Sequence, residues 1–137
     1  MNKDPEDSNE EAATPVQQAP ADPDIQSGPK PIRIEDFSRI ILKVGTVREA
    51  SAHPNADRLL VLKVDLGEAQ PRQLVAGIRG SYAPESLLGK QVIVVANLQP
   101  ANLRGVESQG MILAASDALG ISILNPEREI PPGTRVK

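Results

Sequence analysis

The segment "IILKVGTVREASAHPNADRLLVLKVDLGEAQPRQLVAG", residues 40–77, indicates the fold class of this chain. It holds three segments rich in β-branched and aliphatic residues, and two clusters of turn-forming residues separate them. The first segment is Ile40–Ala50, the second is Arg58–Gly67 and the third is Arg72–Gly77. Gly45 interrupts the first segment, and a glycine within a strand indicates a bulge or a sharp bend. The stretch therefore predicts three consecutive strands of a small sheet that curls.

A short helix and two further apolar strands follow along the chain. Pro84 and Gly89 bound the helix, because proline favours the first helical turn and glycine the position after the last. The segments Gln91–Leu98 and Gly110–Ser116 are the predicted fourth and fifth strands. Five strands with a helix between the third and the fourth follow the order of a five-stranded OB-fold barrel, an all-β fold. A small open β-sandwich is the alternative, and the interposed helix disfavours it.

A further apolar segment, Ile121–Leu124, lies beyond the strands that such a barrel needs. We interpret it as a C-terminal β extension. Surplus apolar strand often forms an interface, and each fully buried aliphatic side chain contributes roughly 1.5–3 kcal/mol. Ile121 and Ile123 are therefore the predicted contacts of a homodimer.

Residues 1–30 differ from the rest of the chain in composition. They contain five prolines, two lysines and seven acidic residues, so that their net charge is −5. They have too few apolar side chains for burial to offset the conformational entropy lost on folding, so we expect a disordered, acidic tail. Residues 31–137 form the predicted domain and carry thirteen basic and eleven acidic residues, a net charge of +2. We expect a short helical turn at 34–40, anchored by Phe37, near the start of this domain.

The composition disfavours several classes of function. The chain has no cysteine and a single histidine, His53, so disulfides, thiolate chemistry and a two-histidine metal site are excluded. No catalytic constellation is recognisable, and we expect a protein that is not an enzyme and needs no cofactor. No apolar run approaches the roughly 18–20 residues that span a bilayer, and the N-terminus lacks the apolar middle of a secretory signal. We therefore expect a soluble, cytoplasmic protein with no membrane partner, in which His53 caps or packs its own turn.

The connection between the fourth and fifth strands is longer and more polar than a turn requires. Asn97, Ser108 and Gln109 bring neutral hydrogen-bonding groups, and Met111 brings a soft, adaptable side chain. These side chains could contact a ligand or bond to the backbone of their own loop. The chemistry of the loop alone does not separate the two interpretations.

The aromatic content excludes one common mode of nucleic-acid binding. OB-folds that bind single strands stack bases on aromatic side chains, whereas this chain has one Phe, one Tyr and no Trp. A nucleic-acid partner would have to be recognised through phosphates, sugars and shape, which is how structured RNA is commonly read. The alternative to a phosphate contact is that the basic residue only lies on the surface, exposed to water. The candidate phosphate contacts are Lys43, Arg48, Arg58, Arg79, Lys90 and Arg104.

Four segments carry a family resemblance: "FSRIILKVGTVREASAHPNADRLLVLKVDLG" at 37–67, "RQLVAGI" at 72–78, "GKQVIVVANLQPANLRGVESQGMILAA" at 89–115 and "PPGTRVK" at 131–137. They resemble the tRNA-binding domain family, which includes the C-terminal appendix of bacterial methionyl-tRNA synthetases and free-standing, structure-specific tRNA-binding proteins. The resemblance implies an OB barrel with a C-terminal extension that forms a homodimer. It also implies recognition of the outer corner of folded tRNA by shape. The family's binding positions fall on Arg58, Asn97, Ser108 and Met111.

We therefore predict a non-catalytic tRNA-binding module. The signatures of a synthetase catalytic domain are absent, so the chain is expected to be a free-standing module, a subunit or a fragment that serves methionyl-tRNA synthetase. A related branch resembles secretion chaperones, which bind unfolded chains through the dimer surface, and this is the alternative function. The chain has only two methionines and two aromatic residues, and this scarcity argues against an adaptable peptide groove. The predicted tRNA-binding residues are Arg58, Asn97, Ser108, Met111, Lys43, Arg79 and Arg104.

Overall fold

The computed structural model describes residues 29–137, in which Ile34–Lys137 form one compact unit. The tail predicted at residues 1–30 lies almost entirely outside the described residues. Helical structure in the described part is limited to α1, Ile34–Phe37, and a 3₁₀-helix, Pro84–Leu87. The strands are β1 Leu42–Ala52, β2 Leu60–Asp65, β3 Arg72–Ala76, β4 Gln91–Val95, β5 Ala101–Leu103, β6 Val106–Ser108, β7 Met111–Ile112, β8 Ala114–Asp117, β9 Gly120–Ile123 and β10 Arg135–Val136.

One antiparallel sheet, in the strand order β3-β2-β1-β4-β7, forms the body of the unit. The long strand β1 lies at its centre and also pairs with β10. The bulge that was predicted at Gly45 lies further along β1, where the register with β2 shifts between Val47 and Glu49. Gly45 itself pairs regularly with Val92. Its missing side chain leaves room for the side chain of Val64, which an added Cβ would overlap.

The two edges of this sheet meet and nearly close a barrel. The backbone N–H of Gln109 donates to the carbonyl of Gln73 in β3 (2.8 Å), and the N–H of Gln73 donates to Oε1 of Gln109 (3.0 Å). Next to them, the N–H of Val75 donates to Oγ of Ser108 (3.0 Å). These bonds satisfy edge groups that would otherwise be unpaired. The all-β OB-like barrel is therefore confirmed, and the 3₁₀-helix that begins at Pro84 occupies the position predicted for the helix.

The hydrophobic core fills the barrel, in agreement with the alternation of inward-facing and outward-facing residues in the second predicted strand. Leu60, Leu62 and Val64 are fully buried, while the residues between them are partly exposed. Leu87 of the 3₁₀-helix is also fully buried and covers the core. Each such side chain stabilises the barrel by roughly 1.5–3 kcal/mol.

The fifth predicted strand is divided between two sheets. Its first part, β7, pairs with β4, and its second part, β8, pairs with β9 in a hairpin. Its second strand, β9, contains most of the predicted C-terminal extension, and the hairpin is bonded to the barrel. The N–H of Ile121 donates to Oγ of Ser81 (3.0 Å), and the N–H of Ile123 donates to the hydroxyl of Tyr82 (3.0 Å).

Three apolar side chains lie where their pattern did not suggest. Ile123, a predicted dimer contact, is 8% exposed and packs into the core of its own barrel, and Ile121 is partly buried against the same core. Phe37 was predicted to anchor α1, yet it is 37% exposed and no residue of α1 is buried. A four-residue helix is one turn long and presents too little surface to bury an apolar face.

Candidate nucleic-acid interface

A small hairpin, β5–β6, rises from the segment that closes the barrel. Its turn consists of Arg104 and Gly105, whose φ angles are 55° and 94°. A two-residue hairpin turn with two positive φ angles suits the twist of the strands, but it strains any residue with a side chain. Asn102 supports the turn, because its Oδ1 accepts the N–H of Gly105 (2.9 Å). Arg104 is the one non-glycine residue of the described chain with a positive φ.

The tip of this hairpin is bonded to the turn that follows β1. Nε2 of His53 lies 2.8 Å from the carbonyl oxygen of Leu103. Nδ2 of Asn55 donates to the carbonyl oxygen of Arg104 (3.2 Å). His53 is 4% exposed, and its Nδ1 accepts the N–H of Asn55 (2.9 Å). The expectation that His53 caps its own turn agrees with this last bond, whereas its contact with Leu103 was not anticipated.

The same contacts bring three of the predicted arginines to one end of the barrel. Arg58 belongs to the turn that binds the hairpin tip, and its carbonyl oxygen accepts the N–H of Arg79 (3.3 Å). Arg104 lies at the tip itself. All three are exposed, and their side chains have no hydrogen-bond or ion-pair partner within residues 29–137. We call the surface formed by Arg58, Arg79 and Arg104 the arginine end.

Two other arginines are neutralised by acids on the barrel wall. Arg48 pairs with Asp65 (2.9 Å), and Arg72 pairs with Glu68 (2.9 Å). The pKa of Asp65 is lowered, first by the hydrogen bond from the N–H of Gly67 and then by Arg48. An arginine whose charge is already compensated attracts a polyanion less, so these two differ in kind from the arginine end.

Three further predicted site residues lie away from the arginine end. Asn97 bonds to the backbone before β1, accepting the N–H of Ile41 (2.9 Å) and donating to the carbonyl of Arg39 (2.7 Å). Met111 is 47% exposed, and its neighbour in the sheet, Val95, also pairs with the first residue of β1. The arginine end instead follows the last residue of β1, an eleven-residue strand that spans roughly 30 Å. Lys43 is the second residue of β1 and pairs with β10.

Ser108 has an internal role in the described structure. It is 4% exposed, its Oγ accepts the N–H of Val75 (3.0 Å), and its hydroxyl donates to the carbonyl of Gly110 (2.9 Å). The bond that it accepts closes the barrel, and the bond that it donates fixes the base of its own loop. The loop is thus divided: its exposed tip carries Arg104, and its base bonds to the barrel.

Sequence reasoning missed Gln73 and Asn55, and it missed the long-range partners of Gln109 and His53. Gln109 and Gln73 close the barrel, and Asn55 and His53 hold the hairpin tip. Arg72 donates to the carbonyls of Ala96 and Gln109 beside an open depression of about 580 Å³. All these bonds join residues far apart in the chain, so no local pattern announces them.

Two kinds of site are not found in the part of the chain that the structure describes. Residues 29–137 contain no group of three or more His, Asp or Glu side chains that could hold a metal ion. No helix in that range is long and apolar enough to cross a membrane.

An OB-like barrel with free arginines at one end and few aromatic residues suits contacts with phosphates better than stacking on bases. The family comparison is consistent with binding of this kind. The family model described as "Putative tRNA binding domain" matches residues 42–135. The chain belongs to this family, and its described part is a tRNA-binding domain related to methionine–tRNA ligases.

Three similar proteins illustrate the relationship. A methionine–tRNA ligase from Pyrococcus horikoshii is 51% identical over 106 residues, which are 77% of this chain and 14% of the ligase. The crystal structure of a "MetRS related protein" from Pyrococcus horikoshii matches with a TM-score of 0.73 and 36% identity, covering 79% of this chain and 99% of that chain. The chaperone CsaA from Bacillus anthracis matches with a TM-score of 0.71 and 32% identity, covering 79% of this chain and 100% of that chain.

Proposed function

We propose that this chain binds folded tRNA through the arginine end, as a non-catalytic module. The observation that carries the proposal is the grouping of Arg58, Arg79 and Arg104. Their side chains are exposed and have no hydrogen-bond or ion-pair partner among residues 29–137. Three uncompensated cations on a rigid barrel bind phosphates, and phosphate contacts position a protein on RNA without reading its bases. The scarcity of aromatic side chains supports shape recognition over base stacking.

We propose a second contact area with the remaining predicted residues. Met111 offers exposed apolar surface at one end of the sheet, where Asn97 holds the backbone. Lys43 offers a charge from the other face, since it pairs with Val94 whereas Met111 pairs with Val95. A folded RNA is broad enough to touch two areas of one barrel. Packing of the Met111 side chain against the RNA would add to the affinity that the phosphate contacts provide. Ser108 acts in this proposal by fixing the base of the loop rather than by touching RNA.

The chain is proposed to serve a methionyl-tRNA synthetase in the cytoplasm, either in the same polypeptide or as a subunit. Its resemblance to a segment of the ligase supports this role. A homodimer is proposed as the working form, with Ile121 in the contact and Ile123 supporting it from the core. Leu119 and Leu124 of the same extension are 97% and 44% exposed and would add apolar area between two copies.

A second function is favoured by one specific observation, the structural similarity to the chaperone CsaA. In that case the exposed apolar side chains of the extension would bind unfolded polypeptide. The two functions use different surfaces, so variants separate them. Removing Arg58 should impair RNA binding and leave polypeptide binding unchanged, whereas charging Leu119 or Leu124 should impair polypeptide binding and also weaken the proposed dimer.

The deciding experiment measures binding of intact tRNA, an unstructured RNA of equal length and an unfolded polypeptide across a series of salt concentrations. We expect tRNA to bind most tightly. Arg58→Ala should weaken tRNA binding and reduce the magnitude of the salt slope by about 0.7–0.9, because one counterion fewer is released. Arg128→Ala removes the same charge from the C-terminal segment and is the matched control. Equal binding of tRNA and the unstructured strand, or equal effects of the two variants, would contradict the proposal.

A further inference from the structure

The hairpin that carries Arg104 has little support of its own. Its strands, β5 and β6, pair only with each other within the described residues, and every residue of β5 is exposed. An isolated two-stranded hairpin is marginally stable in water. Its turn also holds Arg104 at a φ of 55°, in a conformation that residues other than glycine seldom adopt. The tip therefore needs contacts with the rest of the protein to keep this conformation.

Those contacts are made by His53 and Asn55. Between them they bond both carbonyl groups at the start of the turn, that of Leu103 at 2.8 Å and that of Arg104 at 3.2 Å. The imidazole is fixed in one tautomer by its partners. Since Nδ1 accepts the N–H of Asn55 (2.9 Å), the proton of the neutral ring is on Nε2, which donates to the carbonyl of Leu103.

We propose that His53 and Asn55 are positioning residues for RNA binding, because they hold Arg104 at the arginine end before RNA arrives. A backbone that already holds Arg104 in place loses less conformational freedom on binding, so the contact of this arginine contributes more to affinity. This inference rests on the proposed function and adds two residues that do not touch RNA. Their effect should pass through Arg104.

Two substitutions of His53 separate its two bonds. His53→Gln keeps an N–H group near the position of Nε2 and can still donate to the carbonyl of Leu103. His53→Asn keeps an acceptor near the position of Nδ1 for Asn55 but no longer reaches the hairpin. We expect His53→Asn to weaken tRNA binding about three- to tenfold, and His53→Gln to remain within about twofold of the unchanged protein.

A double-mutant cycle with Arg104→Ala tests whether the effect passes through the arginine. In the Arg104→Ala background, His53→Asn should cause no further loss of tRNA binding, because there is no side chain left to position. A loss of the same size in both backgrounds would overturn the inference and indicate a general effect on the fold. Equal affinities of His53→Asn and the unchanged protein would overturn it as well.

Two measurements guard against misfolding and against failure of the proposed function. Asn55→Ala removes only the bond to Arg104 from an exposed position, and it should weaken tRNA binding in the same Arg104-dependent way even if a His53 variant unfolds. The ¹⁵N chemical shifts of the His53 ring, measured without RNA, should identify the Nε2–H tautomer. If the protein does not bind tRNA, the proposed function fails and the positioning role falls with it. If it binds tRNA but the ring shows the other tautomer, the inference alone is overturned.

Discussion

The loop between β4 and β7 has two parts that differ in what holds them. The base, Glu107–Gly110, lies against β3 and shares with it the hydrogen bonds that close the barrel. The tip, Leu103–Gly105, is exposed and is held by two side chains of a turn about fifty residues earlier. One continuous polar motif therefore serves two purposes: its base stabilises the fold, and its tip presents a charge.

The strongest test of this difference places a methyl group on a glycine of each part. In Gly110→Ala the new Cβ would lie 3.0 Å from the carbonyl oxygen of Val95 and 3.1 Å from Leu74, at a φ of +154°. We expect the free energy of unfolding to fall by about 3 kcal/mol, from overpacking and backbone strain together. Denaturant titration measures this value.

The tip should respond less to the same change. In Gly105→Ala the nearest atom is Nδ2 of Asn55 at 3.6 Å, so the cost is conformational and about 1 kcal/mol. Gly80→Ala, where nothing lies within 4 Å, is the control. If Gly105→Ala destabilises the protein as much as Gly110→Ala does, the base and the tip do not differ as we describe.

Ser108→Ala should have the next largest effect, again on stability. The substitution leaves the N–H of Val75 without its acceptor in a buried position, which costs about 2 kcal/mol. Ser51→Ala, at an exposed position in β1, should change the free energy of unfolding by less than about 0.5 kcal/mol. A Ser108→Ala protein that melts like the unchanged protein would show that the hydroxyl does not close the barrel.

Arg104→Ala should show the opposite behaviour. Its side chain is exposed and has no partner among residues 29–137, so thermal unfolding should be unchanged within experimental error, while tRNA binding weakens by about 1 kcal/mol. The magnitude of the salt slope should also decrease, as expected for a phosphate contact. Unchanged affinity for tRNA would remove Arg104 from the proposed interface.

Asp65→Asn should have the smallest effect, and it concerns an arginine that already has a partner. The pKa of Asp65 is lowered in the folded protein by the N–H of Gly67 and by Arg48. The carboxylate therefore contributes stability above its ordinary pKa, and this contribution disappears as the pH falls through the lowered value. We expect a loss of about 0.5 kcal/mol at neutral pH.

The pH profile checks this prediction. The difference in unfolding free energy between Asp65→Asn and the unchanged protein should shrink as the pH falls below about 4. Affinity for tRNA should not decrease, because Arg48 lies outside the arginine end. A difference that stays constant down to the acid limit would mean that Asp65 titrates alike in the folded and unfolded chains.

How far the sequence predicts the site depends on how local the signal is. Arg58 and Arg104 were singled out as charges, but their proximity depends on contacts between His53 and Leu103, which are fifty positions apart. Ser108 was singled out as a polar loop residue, and local chemistry could not reveal that it would be buried against β3. Composition and motifs identify candidate side chains, whereas the closure of the barrel decides which of them reach solvent.

The sequence alone indicated β1 to β4, β9 and the family of this protein, but not the hairpin β5–β6 or the division of the fifth predicted strand. Side chains alternate with a period of two along a strand, so the buried row Leu60, Leu62 and Val64 can be read from adjacent positions. Only the tertiary structure shows that Arg58, Arg79 and Arg104 lie at one end of the barrel. It also shows that Ile123 lies in the core of its own chain. The physical reason is that these outcomes depend on register and on contacts between distant segments, and neither is encoded in the pattern of neighbouring residues.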